Sequence, residues 1–156
     1  PIPLIQKEFA RIMSLKDGSK KMSKSELSDL GRINLTDDKD LIINKIKKAK
    51  TDTLPLPSTI EELEKRPEAR NLIGIYSSLT NNTFQKSIDE FAGKNFSEFK
   101  IKLSDIIVNE INPISLRIKE LLTDKVFLEK TLKDGQEKAN TIASKKIKKI
   151  QEIVGF

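Results

Sequence analysis

The chain has 156 residues, with 29 Lys and Arg against 23 Asp and Glu, a formal charge of +6. It contains no His, Cys or Trp, which excludes thiol nucleophiles, disulfides, imidazole catalysis and zinc sites built on Cys or His. With 33% charged and 37% apolar residues, the composition suits a folded domain, or a small domain with an appendage, better than a disordered chain.

The opening Pro1-Ile2-Pro3-Leu4 has neither the basic head nor the apolar stretch of a signal peptide. Ala10 to Leu15 reads as a short strand or extended segment ended by the turn pair Asp17-Gly18. A Ser-, Lys- and Gly-rich loop follows to Gly31. Asp37 is expected to cap a helix from about Asp38 to Ala49, with Leu41, Ile42 and Ile46 inward. Leu54-Pro55-Leu56-Pro57 is an irregular connector.

From Ser58 the pattern is helical. Thr59 and Glu62 form a capping-box pair. Pro67 suits the first turn of a helix carrying Leu72, Ile75, Tyr76 and Leu79 on one stripe. Thr83 to Phe91 is a short amphipathic helix closed by Gly93. Asn95 and Glu98 start a longer one, kinked or broken at Pro113. Asp124 begins the last helix, where Gly135, Ala139 and Ala143 would admit a neighbouring helix backbone. Phe84, Phe91, Phe96, Phe99 and Phe127 fall at helical spacing, as core residues do. The apolar run Leu72–Tyr76 is far too short to cross a bilayer. The expected fold is therefore mainly α, a helical bundle behind a different front segment.

Five of the six net positive charges fall in residues 1–50, most densely at Lys16, Lys20, Lys21 and Lys24. A lysine cluster is either a solvated loop or an anion site, since ammonium groups held together repel unless a polyanion balances them. Within it, Lys21-Met22-Ser23-Lys24-Ser25 places two ammonium groups three residues apart among hydroxyls and backbone amides. Those groups suit a polyphosphate. Lys138, Lys145, Lys148 and Lys149 near the end of the chain fit either a solvated helix face or contact with nucleic acid.

Lys-Met-Ser-Lys-Ser is the second signature of class I aminoacyl-tRNA synthetases, and its surroundings resemble the tryptophanyl branch of that family, bacterial type. The resembling strings are Ala10 to Leu15, Ile33 to Asp38, Lys45 to Asp52, Asn71 to Tyr76 and Ile153 to Phe156. The resemblance covers essentially the whole chain but only the family's C-terminal part. The Rossmann-like core, the histidine-bearing first signature, the tryptophan pocket and most of the dimer contact belong to the other half. Residues 1–57 then correspond to the tail of the catalytic domain with its loop, and residues 58–156 to a helical anticodon-binding-type domain.

The resemblance implies a tryptophan–tRNA ligase, an activity that this piece alone does not carry. It implies ATP and Mg2+, tryptophan and tRNA(Trp) as partners, a homodimer at full length, no membrane and a cytoplasmic location. It makes Lys21 and Lys24 the catalytic candidates, and Ile12, Lys21, Met22, Ser23, Lys24 and Ser25 the ATP-binding ones; Ile12 is alternatively a buried strand residue. Many relatives follow the motif with Asp-Pro, so Glu26-Leu27 here suggests a less rigid exit from the loop. A tyrosyl-type synthetase and a non-catalytic RNA-binding helical module are the rival readings.

Overall fold

The computed structural model describes residues 10–155; the opening Pro1-Ile2-Pro3-Leu4 and Phe156 of the final resembling string lie outside the described residues. Among these there are six α-helices, a 3-10 turn at Asp29–Gly31 and a single antiparallel bridge between Met13 and Lys21. The helices are α1 Lys39–Lys47, α2 Ile60–Glu64, α3 Pro67–Thr80, α4 Phe84–Phe91, α5 Phe96–Thr123 and α6 Lys125–Val154. The chain forms two compact units divided between Ser115 and Leu116.

In the first unit α2, α3 and α4 pack on one another. Their caps follow from side chains able to satisfy the free amides of a first turn. Thr59 accepts from the Glu62 amide and Thr83 from the Lys86 amide, while Pro67 opens α3. Glu62 reaches back to the Ser58 amide, one residue before the reciprocal capping-box position. Asn81 closes α3 in the left-handed conformation.

Leu15, Ile42, Ile46 and Leu56 from the front of the chain share one core with Leu63, Leu72, Ile73, Ile88, Phe99 and Leu103. Each such side chain contributes about 1.5–3 kcal/mol through burial. The Tyr76, Phe91 and Phe99 rings pack edge-on or tilted within it. Backbone bonds also cross from the connector: Leu56 donates to Lys94 and Gly93 donates to Leu56.

Four expectations are corrected. The cap of α1 is Asp38, which accepts from Leu41; Asp37 is instead buried against Lys45. The break expected at Pro113 does not occur: α5 runs past it, and the carbonyl left without a donor belongs to Asn109, an exposed residue that water can reach. Phe127 is exposed rather than core. In the second unit α6 starts from Asp124 as expected but has no buried residue, and nothing lies within 4 Å of a Cβ built on Gly135. The apolar stripe of α6 is present in the sequence without being covered among the described residues.

Candidate functional site

Residues 12–22 form a narrow hairpin. Met22 donates to the Ile12 carbonyl (3.0 Å) and Ser14 donates to the Lys20 carbonyl (2.7 Å). The turn is built by Asp17, whose carboxylate accepts from the Ser19 amide (3.0 Å) and hydroxyl (2.6 Å) and pairs with Lys20 at 3.2 Å. The Ser19 hydroxyl and amide, with Lys20, hold the Asp17 carboxyl down at about 2. Gly18 is glycine for space. A Cβ there would stand 2.6 Å from the Pro67 carbonyl carbon and 2.6 Å from the Glu68 nitrogen, so the turn lies directly on the start of α3.

Beyond the hairpin the chain turns again. The hydroxyls of Ser23 and Ser25 are 2.9 Å apart, the Ser25 amide donates to Ser23 Oγ (3.3 Å), and Glu26 donates to the Ser23 carbonyl (3.3 Å). Lys21 precedes this turn and Lys24 lies within it, between the two serines; both are exposed. Lys20 is neutralised by Asp17, whereas Lys21 and Lys24 have no carboxylate partner among the described residues. Two ammonium groups without a carboxylate partner, one before the two hydroxyls and one between them in the chain, are chemically suited to an anion with several oxygens.

Ile12 is 44% exposed, so the buried-strand reading is wrong for it. It lines a cleft of about 150 Å3 with Met13, Gly18, Arg70, Asn71 and Phe84. Met22 is partly buried against the core, and its N–H is taken by Ile12. The structure places Ser23, Lys24 and Ser25 on one turn that follows Lys21, which is bridged to Met13, with Met22 hydrogen-bonded to Ile12 just before it.

The exit is more firmly tied than its sequence suggests. The Glu26 carboxylate accepts from Ser14 Oγ (3.1 Å), and its carbonyl accepts from Arg32 (2.8 Å). Arg32 pairs with Asp29 (2.9 Å), and Asp29 and Asp37 both hold Lys45 Nζ at 2.6 Å. Lys45 is fully buried in α1. Lys45 first, then Asn34, keeps the Asp29 carboxyl below its ordinary value. On the entry side, Asn71 of α3 hydrogen-bonds the Met13 backbone twice.

None of Glu26, Asp29, Arg32, Lys45 or Asn71 emerges as a site residue from the sequence. A signal existed for two of them. Lys45 interrupts the stripe between Ile42 and Ile46, and Asn71 heads the apolar run Leu72–Tyr76. A polar residue in such a place needs a partner.

The family model described as tRNA synthetases class I (W and Y) matches residues 1–111. A tryptophan–tRNA ligase of Agrobacterium fabrum is 49% identical over 154 residues, covering 99% of this chain and 44% of that protein. One from Brucella melitensis is 47% identical over 154 residues, covering 99% and 43%. This chain therefore spans less than half the length of these curated relatives. The tryptophanyl-tRNA synthetase of Campylobacter jejuni, solved in complex with ADP and tryptophan, superposes with a TM-score of 0.74 over 98% of this chain and 46% of its own. At 24% identity it speaks to the fold alone.

Proposed function

The chain belongs to the class I tRNA synthetases of the tryptophan and tyrosine type, and on that premise we propose that it is the C-terminal portion of a bacterial-type tryptophan–tRNA ligase. The named relatives favour tryptophan over tyrosine. Such a ligase joins tryptophan to the α-phosphorus of ATP, releases pyrophosphate, and passes the tryptophanyl group to tRNA(Trp). Residues 1–57 supply the loop-bearing end of the catalytic domain, and residues 58–156 the anticodon-binding-type helices. The tryptophan pocket and most of the homodimer contact lie in the rest of the enzyme, which works in the cytoplasm. No helix among the described residues is long and apolar enough to cross a membrane.

As the tryptophan carboxylate attacks, negative charge grows on the departing pyrophosphate. Lys21 and Lys24 neutralise that charge, a role needing position and no proton transfer. Ser23 and Ser25 orient the turn or donate to phosphate oxygens, and Ile12 and Met22 lie on the adenine side. No group of three potential metal ligands occurs among the described residues. The magnesium that accompanies ATP would be held by the phosphates of the nucleotide.

The observation that supports this reading is the contrast along Lys20 to Lys24: Lys20 pairs with Asp17, while Lys21 and Lys24 have no carboxylate partner among the described residues. In the complete enzyme, Lys24→Ala should lower kcat for adenylate formation roughly a hundredfold or more, about 2–4 kcal/mol of barrier, with little change in KM for tryptophan. Lys20→Ala should do much less. Equal, minor losses at both positions would reduce the loop to an ordinary solvated cluster.

A further inference from the structure

Asn71 is 8% exposed and lies within α3. A short polar side chain is a poor helix former and is costly to bury without partners. Its partners are in the hairpin. Asn71 Oδ1 accepts from the Met13 amide at 2.8 Å, and Asn71 Nδ2 donates to the Met13 carbonyl at 2.8 Å, with the Ser14 carbonyl at 3.5 Å. In an extended chain alternate residues present their N–H and C=O groups to opposite edges. Ile12 and Ser14 use one edge to bond Met22 and Lys20. Met13 presents the other, and the Asn71 carboxamide occupies it as a neighbouring strand would.

We propose that Asn71 is a positioning residue: it fixes the register of the entering segment against α3, and so places Lys21, bridged to Met13, where the phosphates react. This rests on the phosphate role proposed for Lys21. The start of α3 also lies against Gly18 at the tip of the hairpin, so one helix holds both the tip and the entry. Because α3 belongs to the anticodon-binding-type part, Asn71 also ties that part to the ATP loop.

Asn71→Ala, Asn71→Asp and Ser77→Ala, in the complete enzyme, test the assignment. Asn71→Asp keeps the size and the acceptor but sets a carboxylate against the Met13 carbonyl. Ser77→Ala, in the same helix as Asn71, loses a buried hydrogen bond to Ser87 of α4, 2.7 Å long, without touching the hairpin. Both Asn71 variants should speed hydrogen exchange at the Met13 and Met22 amides and lower kcat for adenylate formation about tenfold, as expected for a lost pair of neutral hydrogen bonds. KM for tryptophan should hold.

Ser77→Ala should lower the melting temperature while leaving both readouts alone. Combined with Lys21→Ala, Asn71→Ala should add little further loss, because both act through one group. Unchanged exchange at Met13, unchanged kcat in the Asn71 variants, or full additivity with Lys21→Ala would each overturn the assignment. A harmless Lys21→Ala would instead defeat the phosphate reading, and the exchange data would still judge the clamp.

Discussion

The basic hairpin and helix α6 are both rich in lysine, and both carry exposed aliphatic side chains, yet they are built in opposite ways. The hairpin is tied at its tip, entry and exit: Gly18 against α3, Met13 to Asn71, and Glu26 through Arg32 and Asp29 to the buried Lys45. α6 runs for 30 residues with none buried. Its lysines are distributed along a helix, and among the described residues none of them makes an ion pair or side-chain hydrogen bond. A charge cluster becomes a chemical site when surrounding structure fixes where the charges stand. In the hairpin the backbone on either side of Lys21 and Lys24 is so tied, and on that basis we propose it as the site; α6 offers a diffuse field suited at most to a polyanionic backbone.

Breaking the ties should cost in proportion to how deeply each is set. Lys45→Ala leaves Asp37 buried and uncompensated, so a loss of about 3–5 kcal/mol is expected in chemical denaturation. A variant within 1 kcal/mol of the parent would mean that the ion cluster does not anchor the exit. Gly18→Ala forces a methyl group onto the backbone of Pro67 and Glu68, for about 1–3 kcal/mol, read as a lower melting temperature.

Asp17→Asn should have a smaller, pH-dependent effect. The folded carboxyl is depressed to about 2 from 3.8, so its stabilisation is full above about pH 4 and disappears as pH falls through 2. Melts of parent and variant should therefore differ at pH 6 and converge at pH 2. Ile142→Ala in α6, at a position 69% exposed, should change stability by no more than about 0.5 kcal/mol. A loss of 2 kcal/mol there would show that the α6 stripe is covered in solution.

Local features were legible in the sequence. Thr59, Thr83 and Asp124 cap their helices because caps need only residues three positions apart. The Asp17-Gly18 turn and the helical stripe of α3 likewise depend on neighbours. What stayed hidden depends on distance along the chain. Asn71 and Met13 are 58 residues apart, and no spacing rule connects them. Asp37 and Asp38 are adjacent acids that both suit a cap, and only the burial of Lys45 decides which is free to serve.

Gly18 illustrates the same limit. The turn was readable, but the reason for glycine is the backbone of α3, which a local pattern does not contain. In α6 the small residues Gly135, Ala139 and Ala143 would admit a neighbouring helix, yet none of the helix is buried, because a sequence pattern records a face without recording what meets it. The candidate site was legible as five residues, while the anchors around that loop were not.

The central claim is that Lys21 and Lys24 form a fixed polyphosphate site and the lysines of α6 do not. Tripolyphosphate titrated into the isotopically labelled 156-residue chain, followed by amide and lysine side-chain shifts, tests it most directly. Saturable shifts confined to Lys21–Ser25 and the adjoining Ile12 and Met13, absent in the Lys21→Ala/Lys24→Ala variant, are the expected result. Shifts of equal size at Lys138, Lys145, Lys148 and Lys149, unaffected by that variant, would contradict it.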